Sequence, residues 1–298
     1  MFVFTASMAA AFVVGLTFRA WHLRAIERLS TDRRPLGPDG IVVGAEGFVL
    51  ERAAAPAVLL LHGAGDTPQT LRYLGDALFA RGFHVEAPLL PGHGRTLDAF
   101  KRTSADDWVT SARMSYRALQ AQHRWVSIAG LSMGGALAVR LAAETTQLPA
   151  LCLIAPYLAL RPGADRAART SRWWGPIVPV IESSEGFSVL DPAERAKSLA
   201  YGVFTASALR ALRETVEEAN EALPHVSAPT LVVQSREDNR ISVADAERAF
   251  AGLGAHEKRL EWVSGSAHII TVDYGRERVF DLVADWLVGH ENGASPTK

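Results

Sequence analysis

The chain has 298 residues, of which 48% are hydrophobic, and this length and composition suit one α/β domain with an insertion. The formal net charge is −1, so no basic excess indicates a nucleic-acid partner and no acidic tail indicates a charged one. The single cysteine, Cys152, excludes a disulfide bond within the chain. Because no cluster of His, Cys or Asp has the spacing of metal ligands, we expect neither a metal nor a cofactor.

The N-terminus carries about 17 residues without charge, Phe2 to Phe18, followed by an arginine-rich flank. A bilayer span typically needs about 20 residues. Positive charge after the apolar run favours an uncleaved anchor over a cleaved signal peptide, and a buried helix is the third alternative. We therefore predict membrane association through residues 2–18, a single span within residues 1–20 and a cytoplasmic location for the remaining chain. Cleavage would instead give a secreted or periplasmic protein.

Residues 21–40 are predicted to be a linker, because Pro35 and Pro38 interrupt any regular element there. Strand-like and helical stretches then alternate along residues 41–290. The first of them are a hairpin or strand pair at 41–52, a strand at 57–61, a helix at 69–81, a strand at 83–87 and a helix at 104–121. This alternation predicts a mostly parallel central sheet with helices on both faces.

Ser132 lies in the run Gly130-Leu131-Ser132-Met133-Gly134-Gly135, between a strand-like stretch and an alanine-rich helical stretch. A strand has to turn into a helix there, and the glycines let the neighbouring chain approach without Cβ clashes. Such a turn raises the Ser132 hydroxyl to the top of the sheet and places the Met133 amide at a helix N-terminus, where an oxyanion is stabilised. An ordinary glycine-rich turn is the alternative interpretation.

About seventy residues separate the strand that ends near Ala155 from the strand that starts near Thr230, and the core does not need them. We predict that residues 157–225, approximately, form a small helical cap. Its first half is rich in arginine and proline and is predicted to be irregular, whereas residues 206–223 have apolar side chains at helical spacing. Trp173 and Trp174 either line a tunnel or fasten the cap, and fastening is favoured.

A serine nucleophile needs a histidine base and an acid that orients it. The strand-like run 230–234 ends just before Glu237 and Asp238, at the edge where open α/β sheets build their sites. Another strand-like run, 259–263, leads into a loop that contains His268. The remaining histidines precede the serine or lie in polar stretches. The resulting order of serine, acid and histidine is that of α/β-hydrolases.

Several separated motifs in residues 41–290 resemble those of α/β-hydrolases of the carboxylesterase and monoacylglycerol-lipase type. These motifs are the serine turn described above, Leu59-Leu60-Leu61-His62-Gly63-Ala64-Gly65, Pro88-Leu89-Leu90-Pro91-Gly92-His93-Gly94, Asp238-Asn239-Arg240-Ile241, and Ser266-Ala267-His268-Ile269-Ile270 with Asp273 close behind. The resemblance implies that Ser132 is the nucleophile, His268 the general base and then acid, and Asp238 the orienting carboxylate. Glu237 is the alternative acid.

The same resemblance implies an oxyanion hole formed by the backbone N–H groups of Ala64 and Met133. Many of these esterases carry a bulky aromatic residue where Ala64 stands, so we expect a different pocket wall here. The lining is predicted to be apolar and without a fixed charge. Besides the catalytic residues, the predicted lining residues are Gly63, Leu89, Leu90 and Ile269.

The implied function is that of a serine carboxylic-ester hydrolase that forms an acyl-enzyme on small neutral esters with short or medium acyl chains. Acyltransferases, thioesterases and peptidases use the same triad, and the fold alone does not separate them. An inactive membrane-tethered binding protein is a third hypothesis, which the complete set of Ser132, Asp238 and His268 argues against. A helix at 276–288 completes the domain, residues 291–298 are predicted to be a frayed tail, and no pattern indicates an oligomeric state.

Overall fold

A computed structural model describes residues 34–178, 180–182 and 187–292, together with Val14, Gly15, Thr17, Ala20 and Trp21. In these residues seven strands form a central sheet. In spatial order they are Phe48–Leu50 (β1), His84–Ala87 (β3), Ala57–Leu61 (β2), Val126–Leu131 (β4), Leu151–Ile154 (β5), Thr230–Ser235 (β8) and Lys258–Val263 (β9). Only the pairing of β1 with β3 is antiparallel, and the other five pairings are parallel. The prediction of a mostly parallel α/β-hydrolase sheet is therefore confirmed.

Helices cover both faces of this sheet. They are Arg72–Ala80 (α1), Leu97–Lys101 (α2), Ala105–Gln122 (α3), Met133–Glu144 (α4), Pro162–Trp174 (α5), Pro192–Ala196 (α6), Ala206–Ala222 (α7), Val243–Gly252 (α8) and Arg276–Asn292 (α9), with short 3₁₀ turns at Pro68–Leu71 and Leu223–His225. Alternate residues of β2 enter two separate cores: Leu59 and Leu61 pack towards α3 and α4, whereas Val58 and Leu60 pack towards α1 and α9. The central strands are thus buried on both faces, as parallel strands require.

Local sequence signals account for several helix ends. Ser104 and Asp107 form a reciprocal capping box at the start of α3, in which each side chain accepts a hydrogen bond from the other residue's backbone N–H. The expected leading strand pair at 41–52 is reduced to β1, which pairs with β3, and to an isolated bridge between Leu36 and Val42.

The connection between β5 and β8 contains the predicted helical cap. The prediction that its first half is irregular is wrong, since residues 162–174 form α5. Pro162 occupies the first turn, where a missing N–H costs nothing, and Asp165 and Arg169 form an ion pair one turn apart. Trp173 is 83% exposed, so it does not fasten the cap. A short antiparallel pair, Val180–Glu182 (β6) with Val203–Thr205 (β7), completes this region.

Helix α7 belongs to the core of the domain as much as to the cap. It is the connection that returns the chain to β8, and its buried side chains Leu212 and Val216 lie in the same core cluster as Leu137 and Leu141 of α4. The prediction of a helix over residues 206–223 that packs on the body is confirmed. Among the described residues, those that belong to the cap alone are therefore the ones between Tyr157 and Thr205.

The prediction of a membrane-anchored chain with a single N-terminal span is corrected here. Among the residues that the structure describes, no helix combines the length and the apolar character needed to cross a bilayer. Most of residues 2–18 lie outside the described residues, as do residues 293–298 of the predicted tail. In the predicted linker, Arg34 contacts the domain by donating hydrogen bonds to the backbone carbonyls of Leu199, Ala200 and Tyr201.

Candidate active site

The nucleophile turn has the geometry that its glycines predict. Ser132 has a φ of 56° and a ψ of −120°, and its backbone N–H donates to the carbonyl of Ile154 at 3.0 Å. A Cβ atom at Gly130 would lie 2.2 Å from the carbonyl oxygen of Gly134, so only glycine fits there. The positive φ of Ser132 is a strained conformation for a residue with a Cβ, and such strain often occurs at functional sites.

The structure brings Ser132, His268 and Asp238 together in one hydrogen-bonded chain. His268 Nε2 lies 2.8 Å from Ser132 Oγ, and His268 Nδ1 lies 2.8 Å from Asp238 Oδ2. Ser132 follows the end of β4, Asp238 lies in the loop after β8, and His268 lies in the loop after β9. All three follow the carboxyl ends of parallel strands, which explains why residues so distant in sequence meet.

Asp238 contacts His268, whereas Glu237 does not. The Asp238 carboxylate also accepts hydrogen bonds from the backbone N–H groups of Arg240 at 2.7 Å and Ile241 at 2.9 Å, and from the side chain of Gln234 at 2.7 Å. Burial alone would raise the pKa of Asp238, but the nearby charge of His268 and these hydrogen bonds hold that pKa below its usual value. Asp238 is thus an ionised group that can stabilise a protonated imidazole.

Glu237 points into a different environment. It is exposed, and its carboxylate accepts a hydrogen bond from Ser235 Oγ at 3.2 Å. The alternative acid considered from the sequence therefore has no contact with His268 in this structure.

The two predicted oxyanion donors belong to segments next to Ser132. Met133 is the first residue of α4, so its amide lies at a helix N-terminus, and Ala64 lines the cavity that contains Ser132. Gly63 is close to the nucleophile: a Cβ atom there would lie 3.3 Å from Ser132 Cβ and 3.6 Å from Ser132 Oγ. The loop after β2 is therefore close enough for its amides to act at a substrate carbonyl.

Two buried histidines support this loop without joining the triad. His62 Nδ1 hydrogen bonds to the carbonyl of Gly63 at 2.9 Å, and its Nε2 accepts from the Leu90 amide at 3.1 Å. Burial lowers the pKa of His62 to about 4, despite the opposing hydrogen bond to Gly63. Burial also lowers the pKa of His93, whose ring lies 5.0 Å from that of His62. Both imidazoles are therefore neutral at pH 7.

A cavity of about 310 Å³ opens over Ser132 and His268. Of the predicted lining residues, Gly63 and Ile269 line it, and so does Ala64, a predicted oxyanion donor. Leu89 and Leu90 are not brought to it: Leu90 is buried in the hydrophobic core, and Leu89 packs beside Gly94. The cap supplies much of the remaining wall, through Phe187, Ser188, Val189, Arg195, Ser198, Ala200, Gly202, Val203, Phe204 and Leu212.

The sequence predicted a lining without fixed charge, and the structure corrects this. Asp66, Glu194, Arg195 and Arg240 all line the cavity. Glu194 is bound by Lys197 and Arg276, Arg240 donates to Ser188 Oγ, and Arg195 donates to the carbonyl of Val189. Asp66 directly follows the motif at 59–65 and Arg240 lies in the acid motif, whereas no local pattern marks Glu194 and Arg195, because their placement depends on how the cap folds back.

Asp66 is the unusual member of this group. It is buried, its Oδ2 accepts a hydrogen bond from Thr70 Oγ1 at 2.9 Å, and its Oδ1 accepts none from the residues that the structure describes. Burial raises the pKa of Asp66 to about 6, although hydrogen bonds from Thr67 and Thr70 and the charge of His268 oppose the shift. This carboxyl group therefore changes charge close to neutral pH.

Comparison with known proteins places this site in a family. The family model described as serine aminopeptidase, S33, matches residues 52–274. A thermostable monoacylglycerol lipase of Bacillus sp. (strain H-257) is 30% identical over 251 residues, which cover 84% of this chain and 97% of the relative. A carboxylesterase of Bacillus subtilis (strain 168) is 27% identical over 237 residues, which cover 78% of this chain and 92% of the relative.

A solved structure also resembles this chain. It belongs to a study of LipS and LipT, two metagenome-derived lipolytic enzymes. Its TM-score is 0.77 and its identity 27%, and the match covers 84% of this chain and 100% of the other. The family match includes Ser132, Asp238 and His268, the residues that the structure brings together. The chain therefore belongs to the serine aminopeptidase S33 family of α/β-hydrolases.

Proposed function

We propose that this enzyme is a serine carboxylic-ester hydrolase that acts through an acyl-enzyme, with Ser132 as nucleophile, His268 as general base and acid, and Asp238 as the orienting carboxylate. The observation that carries the proposal is the continuous hydrogen-bonded chain from Ser132 through His268 to Asp238 in a cavity of about 310 Å³. The carboxylesterase and monoacylglycerol lipase named above support ester bonds as the bonds that are cleaved.

Each step of the reaction has a group in place. Ser132 Oγ attacks the acyl carbon while its proton passes to His268 Nε2, 2.8 Å away. The amides of Ala64 and Met133 stabilise the resulting oxyanion. The alcohol leaves with the proton from His268, which then takes a proton from water as that water attacks the acyl-enzyme. The carboxylic acid is released and Ser132 recovers its proton.

The shape of the cavity supports small to medium acyl chains. Its volume of about 310 Å³ lies at the lower end of the roughly 300–1,000 Å³ that ligand pockets span. The apolar wall formed by Val203, Phe204, Leu212 and Ile269 suits a hydrocarbon chain. Each buried methylene adds about 0.8 kcal/mol until the space is filled.

Three of the four charged groups in the wall, Glu194, Arg195 and Arg240, contact other groups of the protein, which favours a neutral substrate. Arg195 lies over the ring of Phe187, and Arg240 donates hydrogen bonds to Ser188 Oγ. An aminopeptidase must hold the ammonium group of its substrate, and the Glu194 carboxylate already binds two cations, Lys197 and Arg276. We therefore place peptides below esters, although the family description names an aminopeptidase.

A substrate series tests this proposal. We expect p-nitrophenyl esters with acyl chains of different length, and monoacylglycerols, to be hydrolysed with a kcat/KM that rises with chain length and then falls. Acyl-CoA and aminoacyl amides serve as comparison substrates at matched concentrations. A higher kcat/KM for either of them than for every neutral ester would reject the ester proposal and favour a thioesterase or a peptidase.

A further inference from the structure

The carboxylate of Asp273 is fully buried and accepts four backbone hydrogen bonds. Its Oδ2 accepts from the N–H groups of Leu190 and Ala267, each at 2.8 Å. Its Oδ1 accepts from Asp191 at 2.9 Å and from Tyr274 at 3.1 Å. Asp273 itself lies in the loop after β9, so its bonds to Ala267 and Tyr274 stay within that loop, whereas its bonds to Leu190 and Asp191 join the loop to a second part of the chain.

These two parts are the cap and the loop of the catalytic histidine. Leu190 and Asp191 belong to the cap segment that begins with the cavity-lining residues Phe187, Ser188 and Val189. Ala267 directly precedes His268. The residue after His268 also contacts the same segment, because the Ile269 N–H donates to the carbonyl of Ser188 at 2.8 Å. His268 is therefore flanked on both sides by amides that connect it to the cap.

We propose that Asp273 is a positioning residue that holds His268 and the cap wall of the cavity as one unit. The proposal rests on the ester-hydrolase function proposed above. One carboxylate sets the backbone next to the general base and also the cap segment whose residues Phe187, Ser188 and Val189 line the same cavity. Alignment of the base and the shape of the acyl site are consequently linked, and weakening this link alters the rate and the chain-length preference together.

The carboxylate is chemically required for this arrangement. All four partners are N–H donors, so each oxygen has to be an acceptor. In Asp273→Asn one oxygen becomes an NH₂ group, which would face two N–H groups and lose two of the four hydrogen bonds whichever way the amide is oriented. The variant keeps the size of the side chain, so it tests hydrogen bonding and not packing.

The experiment compares Asp273→Asn with Asp191→Asn, a control with the same chemical change in the same cap segment. The Asp191 side chain accepts from the Ala193 N–H and does not contact the histidine loop. Active sites are titrated with an organophosphonate, so that kcat refers to folded enzyme only. For Asp273→Asn we expect kcat per titrated site to fall about tenfold to a hundredfold, as for a displaced catalytic group, and the acyl-length profile to broaden.

Asp191→Asn should keep the kcat and the profile of the original enzyme. If Asp273→Asn also keeps both per titrated site, the carboxylate serves stability alone and the proposal is wrong. An equal change in both variants would likewise overturn it, because the effect would then come from the cap segment and not from Asp273.

If Asp273→Asn does not fold, hydrogen exchange on the unmodified protein tests the link between the cap and the histidine loop. Peptides that cover residues 187–192 and 265–270 should show protection factors within about threefold of each other, because the proposed link makes the two segments open as one unit. A protection factor at least about tenfold lower in the cap peptide would reject the link. Absence of ester hydrolysis in the unmodified enzyme would reject the proposed function instead, and the exchange result would still report on the link.

Discussion

The carbonyl oxygen of Leu61 lies 2.0 Å from the position that a Cβ atom at Gly134 would occupy. The end of β2 and the first turn of α4 are therefore in backbone contact. The chain that leaves β2 continues directly into Gly63 and Ala64, and α4 begins with Met133. This close approach, together with that of Gly63 to Ser132, thus limits the separation between the two amides that we assign to the oxyanion.

Gly134→Ala should consequently impair both stability and catalysis. The neighbouring atoms are backbone atoms, which cannot rotate away, so we expect a loss of about 1–3 kcal/mol in the free energy of unfolding. The kcat should fall as well, because the two amides are forced apart. Urea unfolding and ester hydrolysis measure the two effects.

Gly289→Ala is the matched control for Gly134→Ala. A Cβ atom at Gly289, in α9, meets nothing within 4 Å. There alanine should stabilise the helix by up to about 1 kcal/mol without changing kcat. Similar behaviour of the two variants would contradict the role assigned to the contact between Leu61 and Gly134.

Substitutions in the triad should separate the three proposed roles. Ser132→Ala and His268→Ala should each lower kcat by about 10⁶, and Asp238→Asn by about 10⁴, while thermal unfolding shows a folded protein. An organophosphonate should label Ser132. Glu237→Gln is the control for the acid and should keep its activity; a large loss there, with a mild effect of Asp238→Asn, would exchange the two carboxylates.

The buried carboxyl of Asp66 makes stability dependent on pH. Its pKa rises from the ordinary value of 3.8 to about 6 in the folded protein. Between about pH 4 and pH 6 the carboxyl is therefore protonated in the folded state and ionised in the unfolded state. Stability is therefore lost as the pH rises from about 4 to 6, by about 3 kcal/mol at most, and stays reduced above pH 6.

Asp66→Asn removes this charge and keeps the shape. We expect the variant to be more stable than the original protein at pH 8 and the difference to be smaller at pH 4.5, as measured by urea unfolding at both values. An equal gain in the free energy of unfolding at the two pH values would show that the effect does not come from ionisation of Asp66.

Phe204→Ala should move the preferred acyl chain to longer lengths. The Phe204 ring lines the cavity and lies 3.8 Å from the Cβ position at Gly65. Removing the ring extends the apolar space, and each added methylene that fills it contributes about 0.8 kcal/mol. Phe79→Ala removes the same ring on α1, away from the cavity, and should leave the chain-length profile of kcat/KM unchanged. Identical profiles for Phe204→Ala and the original enzyme would place the acyl chain elsewhere.

The parts of the fold that could be predicted are those that local sequence determines. The strand at 57–61, the cap of α3 at Ser104 and the turn at Ser132 depend on neighbours within a few residues. The prediction of an irregular first half of the cap is wrong. Its prolines and arginines are typical of an irregular chain, whereas Pro162 starts a helix. Proline at a helix start and proline in a loop look alike in a sequence without the tertiary contacts.

Some residues of the candidate site could likewise be predicted from the sequence, and others could not. Motif order was sufficient to select Ser132, Asp238 and His268, which the structure brings together. Leu90 is apolar and close to the site in sequence, but its side chain packs into the core, and sequence does not tell which side of a loop faces a cavity. The contacts of Asp273 with the cap join residues about eighty positions apart, and no local pattern reports them.

The position of the cap between β5 and β8 has a consequence for how such enzymes diverge. These strands are parallel neighbours, so some connection has to cross the sheet, and α7 fulfils that need. The stretch from Tyr157 to Thr205 is left outside this requirement, although it supplies about half of the residues that line the cavity. New substrate ranges can therefore arise by replacing one uninterrupted piece of coding sequence, provided that the replacement still offers backbone amides to the buried carboxylate beside the catalytic histidine.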